Sequence, residues 1–505
     1  MKFPLFIITC LLFTLSNAQN TTDALRAGLD ENTGTARFTA LSGAMGALGG
    51  DFSATAKNPA GSAVFLNSGL TFSTSLFDVE NNANYFGNSE NSSTVSSAIN
   101  QMGGVFVINN YKEDSAYKKF TIGFNYDITK NLDNELYIAG TGNTSIGEFF
   151  IAQAQGLPLS LLQLQNNESI SDLYRYLGEN EGTAAQNAFL GYQGYLFDAV
   201  DPNNPSNTSY ISNIGDGSFK QQYAYLSEGY NSKFTLNMAA QVTNDWFFGI
   251  NLNTHTIQFR QSSYLLENNN NAGSTITRVG FENNLSVNGA GVSAQIGAIT
   301  KVVNNLRLGL SLDTPTWFQI SEETTQYLES RRVFEGRTTT EYVVPNVVNV
   351  YEDYTLRTPA KVTASAAYIF GLDGLISFDY SYKDLGATRY SPSDDSYFRE
   401  LNNTIKNTLK GVSKINLGGE YRLNELSLRG GIHYEESPYQ NTEIMGELFG
   451  FSLGAGYNFG SFTGDIAYSR SEQQRNQQLY SIGLTNTAKI DSVYSNFILS
   501  LGFNF

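Results

Sequence analysis

The sequence predicts an all-β fold: a transmembrane antiparallel β-barrel of 14 strands with an N-terminal hatch, or plug, inside its lumen. Three observations carry this. Apolar residues recur at every second position in segment after segment, as they do along a strand with one buried face. The connections between these segments are short turns on one side and long polar loops on the other. After the first residues of the chain, no run approaches the ~18 apolar residues that a membrane helix needs.

The elements follow in order. "MKFPLFIITCLLFTLSNAQN" has Lys2 as a short positive region, Phe3 to Leu15 as an apolar region and Ser16-Asn17-Ala18 as a small-residue cleavage site. Residues 1–18 therefore read as a signal peptide. Cys10 falls inside it, so the mature chain has no cysteine and no disulfide or thiol chemistry. The net charge of −16, with 15% of residues charged, excludes a nucleic-acid binder, which needs a basic face. Ten prolines and no Ser/Gly-rich hinge argue against several linked domains. The expected division is a hatch over 19–66 and a barrel over 67–505.

From Thr35 to Gly61 nearly every residue is small: "TARFTALSGAMGALGGDFSATAKNPAG". Leu41, Ala44, Met45 and Leu48 are spaced for a short helix, which Gly49-Gly50 would end. A thin, irregular segment of this kind suits a confined lumen. Alternating segments then begin near residues 68, 102, 118, 232, 246, 276, 306, 346, 375, 410, 426, 445, 462 and 493. Tight turns are expected at Glu113-Asp114-Ser115, Asn244-Asp245, Asn304-Asn305, Gly371 to Gly374, Asn424-Glu425 and Gly460-Ser461. Long polar loops are expected at Asn81 to Asn100 and Asp394 to Asn407. The last segment, "VYSNFILSLGFNF", ends on Phe505, a terminal strand of the kind that barrel-assembly machinery receives.

Between Asn143 and Asn231 no strand is expected; a long, partly helical extracellular loop covers about 143–230. Ile170, Leu173, Tyr174 and Leu177 form one helical stripe. Phe149 and Phe150, with Ile151 and the leucines up to Leu162, have two readings. They bury one another to cap the barrel, or they form an exposed groove that collects a hydrophobic ligand.

Strand phase also sorts the charged residues. In "LRTPAKVTASAAYIF", Val362, Ala364, Ala366, Tyr368 and Phe370 share the lipid face, which turns Lys361 inward and gives Arg357 the same phase. Arg429 faces the lumen in "LSLRGGIHY". These cations need counter-charges in a partly dehydrated lumen, and Asp379, Glu420 and Glu435 have the phase to supply them. Structural pairing and capture of a ligand carboxylate are both open for Arg357, Lys361 and Arg429. His255 and His433 are far apart in sequence, and no catalytic, metal-ligand or dinucleotide motif is present. No enzyme activity, cofactor or metal is expected.

"SGAMGALGGDFSATAKNPAG", with Asp51 and then Asn58-Pro59-Ala60-Gly61, resembles the hatch of the FadL/TodX family of outer-membrane transporters for long-chain fatty acids and other hydrophobic compounds. "NLRLGLSLDTPT", "LRTPAKVTASAAYIF" and "LRGGIHYEESPY" followed by "FSLGAGYNF" agree with it, so the resemblance spans residues 35–505. It implies a fourteen-stranded barrel in a Gram-negative outer membrane, in contact with its lipids and lipopolysaccharide, and a hydrophobic small-molecule ligand. It also implies capture on outer loops, a lumen pocket, hatch movement and lateral release beside the third strand, here Lys118 to Gly142. That stretch carries no proline to mark a kink. A monomer is expected. The alternative is a barrel that does not transport, such as an adhesin working through its long loops.

Overall fold

The computed structural model describes residues 21–112, 115 and 117–505. The expected signal peptide, residues 1–18, and most of the turn expected at Glu113–Ser115 lie outside the described residues. The wall is one antiparallel sheet that closes on itself. Its strands are β1 Gly69–Tyr85, β2 Asn88–Asn109, β3 Tyr117–Asn131 continued by Asn134–Gly142, β4 Phe219–Val242, β5 Trp246–Asn268 and β6 Ile276–Val303. Next come β7 Leu306–Asp313 continued by Trp317–Phe334, β8 Tyr354–Arg357 continued by Lys361–Phe370, β9 Gly374–Asp384 and β10 Gly411–Leu423. The last four are β11 Leu426–Glu435, β12 Met445–Asn458, β13 Phe462–Gln478 and β14 Thr487–Asn504. Counting interrupted strands once gives fourteen. Closure joins β1 to β14, from Gly69 opposite Asn504 to Asn84 opposite Lys489, so no wide edge is left at the ends of the sheet.

The period-two pattern explains the wall. Leu308, Leu310 and Leu312 of β7 are exposed to the outside, whereas Ser311 is buried. The same holds for Phe497, Leu499 and Leu501 against Ile498 and Ser500 of β14. At the short-turn end an aromatic ring surrounds the barrel: Trp246 stacked on Phe248, then Tyr368, Phe370, Tyr457, Phe459, Phe462 and Phe503. Such girdles sit at a membrane interface. Further up β1 the outward positions become Asp78, Glu80, Asn82 and Asn84, so the wall stands well above the lipid on the long-loop side.

That height overturns two expectations. Asn81 to Asn100 is not a loop: β1 and β2 pair up to Tyr85 opposite Asn88, around the two-residue turn Phe86-Gly87. Both turn residues have positive φ, 51° and 79°, which fits the twist of a tight hairpin. Above the lipid both faces of a strand can be polar, so the alternation that marks a strand disappears from the sequence. For the same reason β4 starts at Phe219, inside the stretch expected to hold no strand, and a small strand pair, Phe197–Ala199 with Tyr210–Ser212, also forms there.

Asp394 to Asn407 likewise folds as a helix, Ser396–Thr408, capped by Asp395 and burying Leu401 and Ile405. The helices of the 143–230 region are Gly147–Ala154, Ile170–Asn180 and Thr183–Gln193.

A closed barrel resists detergent because its strands find their backbone partners within the sheet across the lipid band. Unboiled protein is expected to migrate differently from boiled protein on a denaturing gel. Identical migration of the two would contradict a closed wall.

The lumen, its plug and a seam in the wall

The N-terminal segment runs down inside the barrel as α1 Thr21–Gly28, α2 Ala36–Ala40, α3 Phe52–Lys57 and a 3-10 turn over Pro59–Val64. The helix expected across Leu41 to Leu48 does not form. Ser42 and Gly43 take positive φ, 50° and 74°, and the chain turns after Ala40. Short polar caps replace it. Thr35 caps α2 through Phe38 N, and Asp51 caps α3 through Ser53 N and Ala54 N. Asp51 also accepts from Thr35 Oγ1 at 2.8 Å, which ties the two helix starts together. Burial lifts the Asp51 carboxyl above its ordinary range, against the nearby charge of Arg37 and the Thr35 bond.

Asn58 is 1% exposed and extended, as the residue before proline should be. Its amide donates to Gly46 O at 2.8 Å and to Ala298 O of β6 at 3.2 Å, and its Oδ1 accepts from Ala60 N. Pro59 O accepts from Asn237 of β4 at 2.9 Å, Ala60 packs on Ala239, Phe247 and Ile299, and Gly61 O accepts from Gly50 N. The plug backbone therefore lies directly on the wall. Its carbonyls are taken by wall side chains: Leu48 O by Arg307, Thr55 O by Asn251, Lys57 O by Gln295 and Ser311.

At the short-turn end the wall holds the plug by charge. Glu420, 1% exposed at its side chain, accepts from Arg37 Nε of the plug at 2.9 Å, Arg429 Nε at 2.8 Å and Arg422 Nη2 at 2.6 Å. Arg429 also meets Asp465 at 2.5 Å.

Higher in the lumen, between the plug and β3, β4, β8, β9, β10 and β11, lies a cavity of about 120 Å³. Lys57, Lys233, Lys361, Lys383 and Lys414 line it, together with Asp30, Glu31, Asp127 and Glu435; Leu29, Phe38, Leu385 and Val412 add apolar surface. Lys361 pairs with Asp313 at 2.9 Å and Asp30 at 3.7 Å, and Lys414 pairs with Glu435 at 2.9 Å. Lys57 lies 3.8 Å from Asp379, which also accepts from Met45 N and Gly46 N of the plug. Burial pushes the Lys57 ammonium down to about 8, with Asp379 opposing. Burial would raise the Asp30 carboxyl, but Lys361, Lys383 and Lys233 hold it well below its usual range.

The residues singled out from the sequence thus separate. Lys361 lies on the cavity, while Arg429 belongs to the Glu420 cluster at the other end of the plug. Arg357 is exposed on the outer face, opposite Trp317. The strand stops at Arg357 and resumes at Lys361 across Thr358, Pro359 and Ala360, and that break reverses the phase. Of the three expected counter-charges, Glu420 meets Arg429, whereas Asp379 and Glu435 meet Lys57 and Lys414.

Phe149 and Phe150 form no exposed groove. They are 7% and 0% exposed, with ring centroids 4.9 Å apart between Phe150 and Phe281 and 4.7 Å between Phe149 and Tyr480. They belong to an apolar core that fills the long-loop end of the barrel with all three helices of the 143–230 region.

Sequence reading missed Lys57, Lys233, Lys383 and Lys414. The last three had a signal: each shares the inward phase of its strand, beside outward Phe234, Tyr382 and Ile415.

Among the described residues the wall has a seam between β2 and β3. β2 and β3 pair only from Gln101 opposite Asp127 to Asn109 opposite Lys119. Above that level Asn88–Ile99 pairs only with β1, and Asn134–Gly142 only with β4. Side chains bridge the two edges instead: Asn131 to Ser96 Oγ at 3.0 Å, Ser92 Oγ to Glu135 O at 2.9 Å and Asn88 to Ala139 O at 3.0 Å, and Asn81 of β1 reaches Glu135 O at 2.8 Å from the lumen side. The seam starts at a bulge, where Asn100 is the extra residue between partners of Ser73 and Thr74.

The plug touches both edges there. Asn100 donates to Gly34 O at 2.6 Å, Glu31 N donates to Thr129 O at 2.9 Å, and the Glu31 carboxylate accepts from Asn131 N.

No family model and no curated relative matches the chain. Among solved structures, a FadL homologue of Pseudomonas aeruginosa aligns with 95% of this chain and 100% of its own, at 13% identity and a TM-score of 0.53. The toluene transporter TodX of Pseudomonas putida aligns with 94% of this chain and 99% of its own, at 13% identity and a TM-score of 0.50. At this identity the likeness shows a shared fold: a plugged outer-membrane barrel of fourteen strands.

Proposed function

We propose that the protein takes up hydrophobic compounds across the outer membrane, amphiphilic acids such as long-chain fatty acids among them. The ligand passes from the apolar cap into the lysine-lined cavity and leaves sideways through the β2/β3 seam. The observation that carries this reading is the seam itself. A closed sheet has no reason to leave twelve residues of β2 without a second backbone neighbour, yet Asn88–Ile99 has none. Ile99, at the foot of that edge and opposite Thr74, is exposed on the lipid-facing side, so a ligand leaving beside it enters an apolar medium. The fold neighbours, one a toluene transporter by its description, agree with a hydrophobic cargo.

Lys361 would attract a carboxylate head, although its two acidic neighbours already hold much of its charge. Phe149 and Phe150 would move to admit a ligand rather than display it. Asn58, with Asp51, sets the seat of the plug during this passage.

The test is a cysteine pair at Ser96 and Asn131, which face one another across the seam at 3.0 Å. The chain's one other cysteine, Cys10, falls in the expected signal peptide, so the pair gives one defined cross-link. Fatty-acid uptake by cells should fall to background when the pair is oxidised and return on reduction. Undiminished uptake with the link formed would rule out the seam as the exit.

A further inference from the structure

The outer face of the wall carries tyrosines far above the lipid. Along β5 the outward residues run from Trp246 and Phe248 to Leu252 and turn polar at Thr254, Thr256 and Gln258. They reach Tyr264 eighteen residues above Trp246. At ~3.3 Å per residue along a strand tilted ~40°, Tyr264 stands ~45 Å above the short-turn girdle, about 20 Å beyond an apolar band of ~25 Å. Saccharide, not acyl chain, surrounds an outer-membrane wall at that level.

The register brings further outward residues beside it. Gly280 of β6 lies opposite Glu329 of β7, and Glu329 lies opposite Tyr342 of the hairpin strand Arg337–Val343; Tyr327 is two residues below Glu329. Tyr264 Oη donates to Glu329 Oε1 at 3.3 Å, and Tyr327 Oη to Glu329 Oε2 at 3.4 Å. A Cβ at Gly280 would collide with the Tyr264 hydroxyl and Glu329 Cγ, so the glycine lets Tyr264 lie across the sheet. Tyr327 stacks on Tyr342 with ring centroids 6.5 Å apart, and Tyr342 is 60% exposed.

One row higher, Arg278 and Arg331 are directly opposite partners, both on the outward phase. Like charges in that position destabilise a sheet. Glu329 pairs with Arg278 at 3.0 Å. Among the described residues Arg331 has no acid within 4.0 Å, and Arg278 Nε has no acceptor. Two guanidiniums over one carboxylate leave a positive charge unmatched, on a chain whose net charge is −16.

We infer that this face of β5, β6, β7 and the hairpin strand is a docking surface for the phosphorylated core saccharide of lipopolysaccharide. A phosphate between Arg278 and Arg331 accepts from both guanidiniums and turns their repulsion into attraction. The sugar that carries it lies on Tyr342 and Tyr327, because the axial C–H bonds of a pyranose are drawn to the negative face of an aromatic ring. The height selects the source: the acyl chains of lipopolysaccharide sit against the wall below and hold its core beside these residues. The inference is independent of the uptake reading.

Purified full-length protein in phospholipid nanodiscs is titrated by calorimetry with three probes. They are the core oligosaccharide released from rough lipopolysaccharide by mild acid, the same oligosaccharide stripped of phosphate, and inorganic phosphate. The phosphorylated oligosaccharide should bind, and loss of its phosphate should weaken binding at least about tenfold. Arg331→Gln should remove most of that difference, whereas Tyr342→Ser should weaken both oligosaccharides. Arg470→Gln, which removes a cation from the outer face of β13, should change neither. Without ligand, Arg331→Gln should not lower the urea midpoint, because it removes a like-charge pair. No binding, equal affinity of the two oligosaccharides, or an equal loss from Arg470→Gln overturns the inference. Inorganic phosphate binding as tightly as the oligosaccharide reduces the arginine pair to an ion site and overturns the saccharide reading. A lowered midpoint would make Arg331 a brace of the wall instead.

Discussion

Replacing Glu420 by glutamine will lower the unfolding free energy by about 3 kcal/mol and loosen the short-turn end of the plug. Arg37, Arg422 and Arg429 all converge on this one carboxylate. Arg422 is 37% exposed at its side chain and loses little, because water screens it. Arg429, 7% exposed, retains Asp465. Arg37 is the exposed consequence: it belongs to the plug, and its remaining acceptor is Gly50 O at 3.4 Å. Most of the loss therefore falls on the contact between plug and wall. Urea unfolding of the purified barrel reads the stability, and a double-mutant cycle with Arg37→Met isolates the shared part. A coupling energy near zero would mean that the plug is held by its hydrogen bonds alone. Swelling of liposomes in a small sugar should rise in the same variant, since a loosened plug admits solute.

How much of this was legible in the sequence follows from what each residue faces. Inside the lipid band a strand has one apolar and one polar or small side, so "LRLGLSL" and "FILSLGF" announce themselves, and so does the count of fourteen strands. Above the band that constraint ends. "ENNANYFGNSENSS" has a polar outer face and only Ala83 and Tyr85 as apolar residues inside, and the hairpin turn at Phe86-Gly87 shows that it is wall. The charged residues divide in the same way. Phase was enough to turn Lys361 and Arg429 inward, but it fails across Pro359, where Arg357 reversed. Pairing is a matter of height along the barrel, and register between distant strands fixes height. That is why Asp313 and Asp30, rather than the acids expected from phase, are the partners of Lys361. The plug was recognisable by its small residues. Its conformation depended on caps such as Asp51 and Asn58 and on positive φ at Ser42, which are set by contact with the wall.

Gly297→Val will unseat the plug while leaving the barrel assembled. Gly297 lies on the inner face of β6, beside outward Ile296. A Cβ there would collide with Asn58 Oδ1 and press on Pro59 Cδ at 2.7 Å. Neither can yield cheaply. Asn58 is fixed by three hydrogen bonds, and proline cannot rotate away. Valine itself suits a strand, so the wall loses nothing in propensity. Overpacking of this kind costs about 1–3 kcal/mol when the neighbours stay in place, and the plug can avoid the cost by lifting off β6. The expected result is heat-modifiable migration as in the parent protein, together with faster hydrogen exchange over residues 51–64 and increased sugar permeation in liposomes. Gly430→Val is the control. It adds the same side chain to the lipid face of β11, where the nearest atom is Leu453 Cδ2 at 3.6 Å, and should change none of the three readings. Equal effects from both substitutions would show that glycine serves the curvature of the wall; an effect confined to Gly297 assigns it to the seat of the plug.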